Sequence, residues 1–97
     1  MIQSAEDCKS LDEIRRSIDN IDEQVVSLIA KRSKYVYAAA KFKSSEKSVR
    51  DSDRVEKVLS SKRDLAKAKG VSPELIENIY RLMIEHFINE ELKEWKR

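Results

Sequence analysis

The sequence contains very few residues that interrupt a helix, since its 97 residues include one glycine and one proline. Aromatic residues contribute 6% of the chain, whereas charged residues contribute 39%. This composition is typical of long helices and argues against a sheet. We therefore predict an all-α fold, in one domain that spans residues 1–97.

Three further absences exclude classes of function. Cys8 is the one cysteine, so the chain cannot form an internal disulfide. Neither Cys8 nor His86 has a second His or Cys at ligand spacing, so the sequence supports no metal site and no Cys/His nucleophile pair. The start of the sequence lacks the apolar run of a signal peptide, and no stretch of about 18 apolar residues could span a bilayer. A cytoplasmic protein is expected. The net charge of +2 is too small, and its charges too interleaved, to favour nucleic acid or a membrane surface as partner.

A regular apolar series predicts the first helix. Ser10 and Glu13 form a capping pair at its start, and apolar residues then recur at alternating spacings of three and four as far as Phe42. Such a helix would be about 50 Å long, which exceeds the core that so short a chain can supply. We expect a second copy of the chain to cover it. The series is Leu11, Ile14, Ile18, Ile21, Val25, Leu28, Arg32, Tyr35, Ala39 and Phe42.

Two shorter patterns follow this helix. The polar, serine-rich segment 44–52 predicts a loop that is a candidate lid, and Asp53 with Glu56 predicts a capping box at the start of a short second helix. That helix would end at Gly70, and Ser72 would cap a third helix that runs to the C-terminal end. The prediction is three helices, long, short and long.

Charged residues lie on two of the predicted apolar faces. Arg32 interrupts the first series, and Glu91 lies between Ile88 and Trp95 in the stripe of the third helix. In a continuous helix, Lys43 would lie about 20° from Arg32 in azimuth and about 16 Å along the axis, so both could bind one small anion. The alternative is a purely structural ion pair between Arg32 and Glu91.

Several short motifs carry a family resemblance across nearly all 97 residues: EDC at 6–8, IRRSIDNID at 14–22, KR at 31–32, FKSSE at 42–46 and ELKEW at 91–95. In these motifs the chain resembles the all-helical chorismate mutase family, and within it the isochorismate pyruvate lyases of salicylate and siderophore biosynthesis. The resemblance implies an intertwined homodimer of three-helix chains that binds a cyclic dicarboxylate without metal or cofactor.

The resemblance also assigns roles to individual residues. Arg15 resembles the arginine that comes from the partner chain, and Arg32 resembles the cation that binds a substrate carboxylate. Lys43 resembles the lysine that contacts the ether oxygen and a carboxylate, and Arg54 matches an arginine that the mutases direct at a carboxylate. Glu91 takes the place of a glutamine that donates a hydrogen bond to the ether oxygen. Only a protonated carboxyl group could do the same.

Two observations refine this picture. Val55 and Phe87 replace a glutamate and a small polar residue of the mutases, and both changes resemble the lyases. Arg15 and Arg32 are separated by about 25 Å of helical rise, so if both contact one substrate, Arg15 must come from a second subunit. The predicted activity is that of an isochorismate pyruvate lyase with weak chorismate mutase activity. The alternatives are a chorismate mutase and a non-catalytic helical dimerisation module.

Overall fold

The computed structural model describes residues 4–43 and 45–95, apart from the side chains of Lys47, Ser48, Glu94 and Trp95. Every regular element in this part of the chain is helical, which confirms the all-α prediction. After a short 3₁₀ turn at Ala5–Asp7, the helices are α1 Leu11–Ala40, α2 Glu46–Arg50, α3 Ser52–Lys69 and α4 Pro73–Trp95. No helix among the described residues is long and apolar enough to cross a membrane.

Helix α1 has the predicted cap at its start, but it ends before the predicted residue. The Ser10 hydroxyl accepts a hydrogen bond from the Glu13 backbone N–H at 3.1 Å, and the Glu13 carboxylate accepts one from the Lys9 N–H at 2.6 Å. The α-helix ends at Ala40 and not at Phe42. Beyond it the chain tightens into i→i−3 bonds, such as that from Lys43 N–H to the Ala40 carbonyl at 3.2 Å. The spacing calculated for Lys43 in a continuous α-helix is therefore wrong.

The prediction of a loop over residues 44–52 is also wrong in part. Ser44 lies outside the described residues, but Glu46–Arg50 forms the five-residue helix α2. Its Val49 side chain is only 4% exposed. Because α2 packs against α4, one side chain of this otherwise polar segment is buried.

Local signals at the ends of α3 and α4 are partly confirmed. Asp51, and not Asp53, caps α3, since its carboxylate accepts a hydrogen bond from the Arg54 N–H at 3.1 Å. Gly70 ends α3 as predicted, with a φ of 74° in the left-handed region that glycine adopts without strain. Ser72 caps α4 by accepting from the Leu75 N–H at 3.2 Å.

The chain divides into two compact units, 1–36 and 37–97. In the second unit, α3 and α4 pack together along their length, and α2 adds to α4. Among the residues whose side chains are described, the buried apolar ones all belong to this unit: Val49, Leu59, Ala66, Phe87 and Leu92.

Helix α1 has no buried residue. Large apolar side chains along its predicted apolar face are substantially exposed in the single chain, among them Ile18 at 49% and Leu28 at 64%. The exposed side chains include members of the apolar series that the sequence predicts for this helix.

An ion pair joins α3 to α4. The Arg63 guanidinium donates to the Glu77 carboxylate at 2.8 Å, and Arg81 lies 3.7 Å from the same carboxylate. The hydrogen bond from Arg63, with the positive charges of both arginines, lowers the pKa of Glu77 below its ordinary value of 4.5, against an opposing effect of desolvation.

We predict that Glu77→Gln lowers stability at neutral pH. A carboxyl group whose pKa is lower in the folded state stabilises the fold at every pH above its pKa in the unfolded state, which is about 4.5. This contribution is lost as the pH falls below 4.5 and passes through the pKa of the folded state. The deficit relative to wild type, measured by urea unfolding, should therefore be present at pH 7 and shrink at pH 3. Glu85→Gln, at an exposed position of the same helix, controls for the loss of one charge. An equal deficit at both pH values would contradict the prediction.

Candidate active site

A buried carboxylate on α4 is held by a lysine from the end of the first helix. Lys43 Nζ lies 2.9 Å from Glu91 Oε2, and the side chains are 28% and 3% exposed, respectively. Removing a carboxylate from water is costly unless a charge and a hydrogen bond compensate. The ammonium supplies both, because a charge-assisted hydrogen bond is among the stronger polar contacts in proteins. Two predicted site residues, 48 positions apart in sequence, are thus in direct contact.

The contact with Glu91 engages one of the hydrogen-bond donors of Lys43. An ammonium group carries three N–H donors, and Glu91 Oε2 accepts one of them. Because the Lys43 side chain is partly exposed, its remaining donors can be offered to a small molecule. Lys43 is therefore a cation fixed in position by Glu91, with donors left for a ligand.

A group of aromatic side chains includes a residue one helical turn from Glu91 on α4. Phe87 precedes Glu91 by one helical turn, so both project from the same face of α4. The Tyr37 ring meets Phe87 edge to face, with centroids 5.5 Å apart and planes at 80°, and His86 meets Phe87 in a similar way at 5.0 Å. Apolar neighbours lower the local dielectric constant, which strengthens charge interactions nearby.

The contact between Tyr37 and Phe87 was not predicted from the sequence. Tyr37 falls outside the three-and-four series of α1, so the periodicity placed it away from the apolar face. The only local signal was the aromatic residue itself, which does not reveal a partner on a helix far along the chain.

The other three predicted residues belong to α1 and α3. Arg54 lies in the first turn of α3 and is exposed. Arg15 and Arg32 lie on the part of α1 that belongs to the first compact unit, with Arg15 exposed and Arg32 half-buried. Of the five candidates, the structure brings Lys43 and Glu91 together.

No group of three or more His, Cys, Asp or Glu in the described part of the chain is arranged to hold a metal ion. The chemistry available at the Lys43–Glu91 pair is hydrogen bonding and charge stabilisation by a fixed cation.

Comparison with known proteins confirms the resemblance seen in the motifs. The sequence model of the family described as chorismate mutase type II matches residues 14–92, a segment that contains all five candidate residues. The chain is also 32% identical to an isochorismate pyruvate lyase of Pseudomonas aeruginosa over 96 residues, which cover 99% of this chain and 95% of the relative.

Proposed function

Because the chain belongs to the chorismate mutase type II family and is thus an enzyme of that family, we propose that it acts as an isochorismate pyruvate lyase. The observation that carries the proposal is a preorganised cation, Lys43, held by the buried Glu91 in a chain that is similar to a lyase over nearly its whole length. Val55 and Phe87, which depart from the mutases at two positions, also favour the lyase.

The proposed reaction is a single pericyclic step without a cofactor. The ether bond between the ring and the enolpyruvyl oxygen breaks while a hydrogen passes from the neighbouring ring carbon to the enolpyruvyl methylene. The oxygen stays with the three-carbon fragment as the keto group of pyruvate, and the ring becomes the aromatic ring of salicylate. All atoms and electrons are accounted for within the substrate, so no nucleophile or oxidant is required.

Catalysis of such a step consists of positioning and charge stabilisation. Arg32, together with Arg15 from a partner subunit, would bind the substrate carboxylates and hold the side chain over the ring. Lys43 would donate to the ether oxygen as negative charge develops there, an effect for which one preorganised donor typically contributes about 10²-fold to 10³-fold in rate. Arg54 would bind a substrate carboxylate from the start of α3.

The exposed face of α1 supports the proposed intertwined homodimer. Its apolar side chains form a continuous stripe, including Ile21 at 47% and Val25 at 46% exposure. A stripe of this extent on a single chain is typical of a protein–protein interface. A second copy of α1 supplies a matching apolar face by symmetry.

The direct test of the function is to incubate the protein separately with isochorismate and with chorismate. We expect salicylate and pyruvate to appear from isochorismate faster than prephenate appears from chorismate. Faster formation of prephenate would identify a chorismate mutase instead. Formation of neither product would favour a helical dimerisation module without catalytic activity.

We predict that Arg15→Ala and Lys43→Ala are each nearly inactive and restore activity when combined in one dimer. If Arg15 acts across the interface, a mixed dimer contains one site with both groups intact and one site that lacks both. Each homodimeric variant should lose about 10²-fold in turnover. Mixed dimers, isolated by a different tag on each chain, should recover about half of the wild-type activity, because one of their two sites is complete.

Co-purified dimers of two Lys43→Ala chains are the matched control and should stay inactive. If Arg15 acted within its own chain, neither site of the mixed dimer would be complete, and no activity would return. Circular dichroism should show that both variants keep their helical content.

We further propose that Glu91 contributes to the reaction through its hydrogen bond to Lys43. Glu91→Ala should lower turnover, because Lys43 then loses the group that holds it in position. Circular dichroism should show that the variant keeps its helical content. Unchanged turnover in the folded variant would exclude this role of Glu91.

A further inference from the structure

Helix α2 depends on a single apolar side chain for its position. It has five residues, far fewer than an isolated helix needs to be stable. Of its described side chains, Val49 is 4% exposed, whereas Glu46 and Arg50 are exposed. A segment this short is helical because it is docked, and Val49 is the side chain that docks it.

The polar contacts that the described residues of α2 make are weak by comparison. Glu46 and Arg50 form an ion pair at 3.6 Å with both partners exposed to solvent, and such pairs contribute little. The Val49 N–H donates to the Ser45 carbonyl at 3.2 Å, which closes one helical turn. Burial of the valine side chain is therefore the larger contribution.

The docked helix begins three residues after Lys43 and packs against the helix that carries Glu91. Val49 follows Lys43 by six residues, and α2 packs on α4. On its other side, Lys43 is tied to the end of α1 by its N–H bond to the Ala40 carbonyl. Attachments on both sides thus limit the movement of the Lys43 backbone, and the downstream attachment depends on Val49.

We propose that Val49 is a positioning residue for the reaction: by docking α2 on α4 it holds the Lys43 ammonium at Glu91, in the place from which it acts on the substrate. The inference rests on the proposed function for the catalytic role of Lys43. The docking itself does not depend on that role.

The first test compares the kinetics of three variants. Val49→Ala should lower kcat by about tenfold or more, since small displacements of a catalytic group are costly, and should change KM much less because Lys43 acts mainly in the transition state. Val49→Ile, which keeps an apolar anchor, should stay within about twofold of wild type. Leu59→Ala, in the α3–α4 core, should lower Tm at least as much as Val49→Ala does. Its kcat per folded molecule should nevertheless stay within about twofold of the wild-type value.

The second test places Val49→Ala in a Lys43→Ala background. If Val49 acts through Lys43, it should cause no further loss of turnover there, whereas independent effects would multiply. If kcat instead tracks Tm across Val49→Ala and Leu59→Ala, Val49 has only a structural role and the proposal is overturned.

Amide hydrogen exchange gives a measurement that does not depend on activity. In Val49→Ala, the amides of residues 45–50 should exchange about tenfold faster or more, while those of residues 59–69 keep their wild-type rates. Unchanged exchange in residues 45–50 would overturn the inference even if Lys43→Ala abolishes turnover. Full turnover in Lys43→Ala would overturn the proposed function instead, and faster exchange would still support docking by Val49.

Discussion

The buried carboxylate of Glu91 is the constraint on which the arrangement of the second unit depends. A charge with 3% of its side chain exposed needs a compensating partner, and Lys43 is that partner. To reach it, the chain must leave the α-helical path at Ala40, tighten through the next turn, and place α2 against α4. The end of α1, the following segment and α4 are thus linked by one polar contact.

The same contact gives the site its chemical character. The family resemblance places a neutral glutamine where this chain has Glu91, so the carboxylate introduces a charge that Lys43 neutralises. In the proposed reaction, a lysine held in this way would have little freedom to reorient, which favours preorganised charge stabilisation. The edge-to-face contact of Tyr37 with Phe87 adds an apolar boundary one turn away on α4.

The two units differ in how their apolar surface is used. The second unit buries apolar side chains such as Leu59, Phe87 and Leu92 but leaves Leu75 and Leu82 exposed, whereas α1 has no buried residue. In the proposed dimer the apolar face of α1 would be buried by its symmetric copy. Arg15 and Arg32 lie on the same helix, so the element that forms the interface would also bring arginines to the substrate.

Local patterns in the sequence determined most of the helices, because their causes lie within a few residues. Ser10 and Ser72 cap helices by bonding backbone N–H groups three positions on, and Gly70 supplies a left-handed conformation that other residues adopt at a cost. Family motifs likewise predicted Lys43 and Glu91 as candidate site residues. Tertiary structure alone decided that these two are in contact and that Tyr37 meets Phe87. It also decided that Val49 turns a polar segment into a helix, since burial against a distant element outweighs the weak propensity of five residues.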